Sequence, residues 1–247
     1  DKVARTMKIT KEMLEYFAED NASIYSFERS AKAPGKNVEY EEIQSPDSDE
    51  PVYMWAENKM GQCRVMYYSE AYNIEMDLSA YPFSKSKSLV IVELPEGLTE
   101  IPGGMFKDCS VLVQVVIPES MKEIGDFVFE NCSSLKTVEI PDAVENIGVY
   151  AFHNSGLQEV VLPSSLKCVE RSTFYKCKEL ASVTLNEGLE EIGEAAFSGM
   201  AITELVMPST LKKIGRQAFA ICSNLTVVSL NEGLENIEPT AFWGCYN

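Results

Sequence analysis

The chain has 247 residues, 38 acidic against 21 basic, for a net charge of −17, and 45% of its residues are hydrophobic. This length suits one elongated domain or two small ones. An acidic chain without a basic patch argues against nucleic acid and against an anionic membrane as partners, and no apolar run approaches the roughly 20 residues that span a bilayer. The acidity runs along the whole chain, with 9 basic against 16 acidic residues in 1–84 and 12 against 22 in 85–247. The sequence begins at Asp1 without a Met, so it reads as a mature or trimmed segment whose export signal lies out of view.

Residues 1–84 follow no period. Thr10 to Asp20 reads as a helix, with Thr10 as N-cap and Met13, Leu14 and Phe17 on one face. Residues 31–51 are polar and carry Pro34-Gly35 and the run Ser45 to Pro51, which predicts a loop. The carboxylates Asp47, Asp49 and Glu50 lack the glycine and the terminal Glu of a calcium loop and read as a solvated turn. Val52 to Trp55 and Arg64 to Tyr68 read as strands. Leu78 and Phe83 take the places of later repeat residues, so a degenerate first coil is expected to end there, and 1–84 reads as an N-terminal cap.

From Leu89 to Cys245 one pattern recurs seven times: Leu-x-x-Val-x-Leu-Pro-x-x-Leu-x-x-Ile-Gly-x-x-Ala-Phe-x-x-Cys. The leading residues Leu89, Leu112, Leu135, Leu157, Leu180, Ile202 and Leu225 give a period of 23 or 22. Such a period marks a solenoid, whose units bury their apolar residues only by stacking. The Val-x-Leu step has strand spacing, and the Pro or Asn after it ends the strand. Leu-x-x-Ile is short enough for a second small strand, and Gly-x-x-Ala-Phe reads as a turn leading into one helical turn. Phe106, Phe129, Phe152, Phe174, Phe197, Phe219 and Phe242 hold one coil position and should form an interior spine. The 22-residue intervals lose their residue in the loops after Phe152 and Phe197. Strands at about 4.8 Å would make a parallel sheet roughly 30 Å long.

Five of the seven cysteines, Cys109, Cys132, Cys177, Cys222 and Cys245, fall three residues after Phe, where Ser155 and Met200 stand in the other coils. That alternation reads as buried free thiols. Cys63 and Cys168 lie outside the pattern. The tenth position of each coil runs Thr99, Lys122, Glu145, Lys167, Glu190, Lys212, Glu235, so charges alternate coil by coil. Each exposed pair is worth only about 0.2–1 kcal/mol, but a like-charge ladder would repel, so the alternation favours correct register. The last strand, around Val228 to Leu230, should present an open edge. Further sequence, or end-to-end self-association with another molecule, would cover it.

The strings LPSSLKCVERSTFYKC and VMPSTLKKIGRQAFAIC resemble the BspA-like class of leucine-rich repeats, and the resemblance covers about two-thirds of the chain. Leu, Val or Met stands where commoner leucine-rich repeats carry Asn, so no Asn ladder is expected there. The resemblance implies a mainly β or α/β solenoid, a right-handed superhelix with a parallel sheet and about seven coils behind an N-terminal cap (1–84, then 85–247). It also implies a bacterial or protist surface protein used in adhesion or protein recognition.

Chemistry is sparse. His153 is the only histidine, in a loop after Phe152, and reads as a surface residue. No phosphate loop and no zinc spacing occur. Sugar binding would favour an aromatic platform, and the sheet-face positions lack one. They run Ile91, Gln114, Thr137, Glu159, Ser182, Glu204, Val227 and Glu93, Val116, Glu139, Val161, Thr184, Val206, Ser229. The expectation is a non-catalytic extracellular or cell-surface module with no cofactor, binding a protein partner such as a host extracellular protein. Glu139, Glu159, Val161 and Glu204 form the expected centre of its face. The other readings are a rigid spacer presenting another domain, or an enzyme using the N-terminal region.

Overall fold

The computed structural model describes residues 83–246, apart from positions 88 and 95, together with five strands among the first 82 residues. These are β1 (Thr6–Lys8), β2 (Ser26–Arg29), β3 (Glu41–Gln44), β4 (Pro51–Lys59) and β5 (Gln62–Tyr68). The last four form one sheet in the order β2-β5-β4-β3, with β2 parallel to β5 and the other neighbours antiparallel. The strands read at Val52 to Trp55 and Arg64 to Tyr68 are present and longer. The loop read over 31–51 is interrupted by β3, whose Ile43 lies opposite Val52. A strand at a sheet edge tolerates charge, and Glu41-Glu42-Ile43-Gln44 therefore looks like loop in sequence. The helix read over Thr10 to Asp20 and the place of Leu78 lie outside the described residues. β1 pairs in parallel with the first solenoid strand, Met7 opposite Val92.

The solenoid uses two kinds of strand. The three-residue strands are β6 (Ile91–Glu93), β8 (Gln114–Val116), β11 (Glu159–Val161), β13 (Ser182–Thr184), β15 (Glu204–Val206) and β17 (Val227–Ser229). The two-residue strands are β7 (Glu100–Ile101), β9 (Glu123–Ile124), β10 (Asn146–Ile147), β12 (Cys168–Val169), β14 (Glu191–Ile192), β16 (Lys213–Ile214) and β18 (Asn236–Ile237). All pair in parallel with strands of neighbouring coils. In four of the three-residue strands the middle residue is buried and its flanking residues are not, at Val92, Val115, Val160 and Leu205; Val183 is half-buried and Val228, in the last coil, is exposed. Where Asn186 and Asn231 replace the strand-ending proline, their amides donate to the Leu162 and Pro208 carbonyls of the preceding coil.

The expected helical turn is absent: the described residues contain no helix, and the fold is mainly β. Each complete coil instead holds two left-handed residues. One column is Gly104, Phe127, Tyr150, Ser172, Ala195, Gln217 and Thr240, and the other is Asp108, Asn131, Asn154, Lys176, Gly199, Ile221 and Gly244. Left-handed dihedrals turn alternate N–H groups out of the coil. Thus His153 donates to Tyr150 within its own coil, whereas Phe152 and Asn154 donate to the Thr173 and Tyr175 carbonyls of the next, both at 2.8 Å. A helical turn would spend those donors locally. Asn and Gly suit the second column. Ile221, at φ 59°, is a β-branched residue in the left-handed region, which costs about 1–3 kcal/mol.

Eight rings, from Phe83 through Phe242, stack face to face at centroid distances between 5.2 and 5.7 Å. Phe106 to Phe219 have no exposed surface. Beside them runs a column of free thiols, each donating to the preceding coil's Phe carbonyl: Cys109 to Phe83 at 2.9 Å, Cys132 to Phe106 at 3.2 Å, Cys177 to Phe152 at 3.0 Å, Cys222 to Phe197 at 3.3 Å and Cys245 to Phe219 at 3.2 Å. Burial pushes Cys109 up to about 12 and Cys177 and Cys222 up to about 11 from an ordinary 9.0.

Two outcomes follow from these columns. Phe174, stacked at 5.3 Å on both sides, should cost about 3–5 kcal/mol when replaced by Ala, read by denaturant unfolding. The thiols bind their protons more tightly folded than unfolded, so their contribution is complete below pH 9 and declines as pH rises through about 11 to 12. Calorimetry should therefore show no thiol-linked loss of stability up to about pH 9 and a falling melting temperature beyond it, with thiolate absorbance rising only on unfolding.

Candidate functional site

Three surfaces surround the core: the outer side of the three-residue strands, the side of the two-residue strands, and the turn side. Glu139, Glu159, Val161 and Glu204 are all exposed on the first. The structure does not join them in the expected continuous sheet. The hydrogen-bonded groups are β1-β6-β8, β11-β13 and β15-β17. Glu139 lies in an extended segment between the first two groups, Glu159 and Val161 on β11, and Glu204 on β15. The ladder lapses on both sides of coil 3 and again after coil 5; coils 3 and 5 are the two 22-residue coils, and after each the next strand begins one residue early. There Gln158 donates to Lys136 and Ala201 to Leu180, in place of the usual paired strand entry. Val116, Val161 and Val206 are 43, 58 and 67% exposed and recur in every second coil, about 10 Å apart at ordinary strand spacing. Polar Glu93, Glu139 and Thr184 occupy the same position in the coils between.

On the second surface the charge row forms ion pairs, Lys122–Glu145 at 3.1 Å and Lys212–Glu190 at 2.6 Å. A neighbouring row adds Lys213 between Glu191 and Glu238 at 2.8 and 3.2 Å. Lys167 forms an ion pair with neither Glu145 nor Glu190, and between coils 3 and 4 β10 does not pair with β12. An open notch of about 590 Å³ separates them, lined by residues including Ile147, Ser164, Cys168 and Glu170. The cause is local. The residue after each inward Ile approaches the preceding coil so closely that a Cβ on Gly193 would lie 2.7 Å from the Val169 carbonyl oxygen, and one on Gly215 2.8 Å from Gly193. Coil 4 carries Glu170 there. Coil 7 also has a side chain, Glu238, yet keeps its bond to Ile214 at 2.8 Å. The shortened coil 5 keeps its pairing too, through β14 and β16. Only the step from coil 3 to coil 4 combines a shortened coil with a side chain at the glycine place. Cys168 in this notch is held up at about 12 by burial and by Glu170 and Glu191, so it is a poor nucleophile at neutral pH.

On the turn surface the left-handed columns carry an aromatic set that the repeat pattern hides. Phe127 stacks on Tyr150 at 5.5 Å, Tyr150 meets His153 edge-on at 5.3 Å, and His153 stacks on Tyr175 at 5.4 Å. Lys107, Arg171 and Lys176 lie over Phe127, Tyr150 and Tyr175. His153 is therefore mostly buried rather than a free surface residue. Its Nδ1 pairs with Glu130 at 3.1 Å, and Glu130 also binds Lys107 at 2.6 Å. The imidazole is fixed by a carboxylate and two rings, which is a packing role. Asp108, Asn131 and Asn154 form a short amide ladder at 2.7 and 2.8 Å in the second left-handed column, away from the place where other leucine-rich repeats carry Asn. No cluster among the described residues fits a metal ion, and no described helix is long and apolar enough to cross a membrane.

Parallel coils of this pattern define a leucine-rich-repeat solenoid. The family model for the BspA type leucine-rich repeat region matches residues 72–178 and 145–247, and the chain belongs to that family. A leucine-rich-repeat protein of Treponema pallidum is 27% identical with a TM-score of 0.57, the match covering 81% of this chain and 83% of that one. A leucine-rich cell surface protein from Faecalibacterium prausnitzii A2-165 is 33% identical with a TM-score of 0.55, over 58% of this chain and 40% of that one. A leucine-rich-repeat protein from Bacteroides ovatus ATCC 8483 is 20% identical with a TM-score of 0.46, over 77% of this chain; the chain spans 59% of that protein's length. No curated protein matches the chain.

Replacing Glu170 by Gly should close the notch. The amides at Lys167 and Glu170 would then gain protection in hydrogen exchange, while those of coil 6 keep theirs.

Proposed function

We propose that this chain is a non-catalytic protein-interaction module displayed outside the cell, and that it binds a protein partner through the outer side of its three-residue strands. The observation that carries the reading is the stripe Val116, Val161 and Val206, exposed in every second coil and flanked by the exposed carboxylates Glu139, Glu159 and Glu204. Isolated exposed valines are ordinary, but three in register on one face, framed by acids, offer apolar contact with a charged surround. A partner with apolar side chains among basic residues fits that pattern. The face is long enough for an ordinary interface of about 800 Å² per partner. Membership of the BspA-type family and the likeness to a leucine-rich cell surface protein support extracellular display.

A second contact belongs to the same reading. Val228, Leu230 and Ile237 of the last coil are 36, 51 and 44% exposed, whereas Leu205, Met207 and Ile214 at the corresponding places of coil 6 are buried. Further sequence, or a second molecule meeting the first end to end, would cover that apolar edge.

The test is a binding screen of the whole chain against host extracellular proteins, with Glu159→Lys and Val161→Asp as comparison. Both sites are exposed, so both variants should keep the wild-type melting temperature and lose about tenfold or more in affinity. Unchanged binding in both would mean that another surface is used. Turnover of a glycoside, peptide or ester that His153→Ala abolishes would overturn the non-catalytic reading.

A further inference from the structure

The first left-handed column changes size along the solenoid. It is bulky at Phe127 and Tyr150, then small at Ser172 and Ala195, and widens again at Gln217. A side chain missing from a stacked column leaves a trough, and one of about 270 Å³ lies there on the turn surface. Its floor is Ser172, Ser198 and Ala220, each 4% exposed or less. Tyr150 and Tyr175 close one end, and Ile221 and Trp243, 53 and 54% exposed, close the other.

The polar groups around the trough include both a cation and a carboxylate. Arg171 lies over the Tyr150 ring with its carbon 5.8 Å from the centroid, which holds the guanidinium plane in place. Arg171 and Glu194 are both exposed and form no ion pair with each other. Gln217 adds an amide that both donates and accepts. Ile221 is the strained member of its column, a β-branched side chain at φ 59° where Asp, Asn, Lys or Gly stands in the other complete coils. Backbone strain of this kind is characteristic of binding sites, and here it sets an apolar wall beside Trp243.

We propose that this trough binds the terminal sugar of an uncharged glycan. A sugar hydroxyl donates and accepts at once, which matches a guanidinium, a carboxylate and an amide at one site. Its C–H face is apolar and flat, which matches the exposed indole of Trp243. The −17 net charge of the chain works against an anionic glycan. A proline-rich peptide would use the rings but leave the Arg171 and Glu194 pair without equivalent partners. The site lies away from the proposed protein-binding face, so either can fail without the other.

The experiment is an array of uncharged glycans probed with the whole chain, with hits titrated by tryptophan fluorescence, since Trp243 is one of only two tryptophans. Ala195→Tyr fills the trough with the side chain that Tyr150 already carries at the same coil position, so it should fold normally. Trp243→Ala removes the exposed ring without touching the core. Each variant should weaken a glycan by about tenfold or more with no change in melting temperature. The proposal is overturned if no glycan binds, if binding survives Ala195→Tyr, or if a proline-rich peptide binds in the trough and the glycans do not.

Discussion

The stack of phenylalanine rings runs unbroken from Phe83 to Phe242. Between coils 3 and 4 the long strands are unpaired and the two-residue strands part to form the notch. Yet Phe152 and Phe174 meet there at 5.3 Å and 4°, the same distance and angle as Phe174 and Phe197 in the unbroken part of the column. The turn bonds survive with them: Phe152 donates to Thr173 and Asn154 to Tyr175, both at 2.8 Å. Register is therefore held from inside and from the turn side. The strand ladders follow that register and can lapse where the sequence does not support them.

This ordering explains what the outer surfaces are free to do. An exposed ion pair such as Lys122–Glu145 is worth little on its own and its absence at Glu145 and Lys167 costs little. A buried ring with neighbours on both faces has no such freedom, because the core is close-packed and a missing ring leaves a cavity. The thiols share that rigidity. Each donates to a carbonyl of the coil before it, and burial keeps them protonated at neutral pH. The residues that vary from coil to coil, Glu139 against Val161 or Phe127 against Ala195, sit outside the buried columns.

The stacked rows were legible in the sequence because repetition multiplies each signal. One Phe in an apolar run says little, but seven at one phase require a column. The two kinds of strand followed from the same rows, whereas the helical turn read after them did not form. The strand breaks were not legible, because they arise from single departures: one residue lost after Phe152, and Glu170 in place of glycine. Their effect depends on how near the neighbouring backbone lies, which no one-dimensional pattern gives. The left-handed residues were hidden for a related reason. Asn, Lys, Ile and Gln share no composition, and only the paths of their N–H groups unite them. β3 escaped notice because an acidic edge strand has the composition of a loop.

The candidate surfaces divide along the same line. Glu159, Val161 and Glu204 were readable as outward-facing because strands alternate, and the structure exposes them. What the alternation did not show is that valine returns only in every second coil, a periodicity of two repeats rather than one. The aromatic set on the turn side needed still more. Tyr175 and Trp243 directly follow the spine Phe in coils 4 and 7, Tyr150 precedes it by two residues in coil 3, and the small residues between them look like ordinary loop. A search of the non-core columns for a change of size, bulky then small, would have marked the trough, because in a solenoid a column is a physical stack and a step in it is a cavity. Function on such a scaffold should be sought first where a column departs from its own rule, since the core leaves no room for departure and the surface is where it can be used.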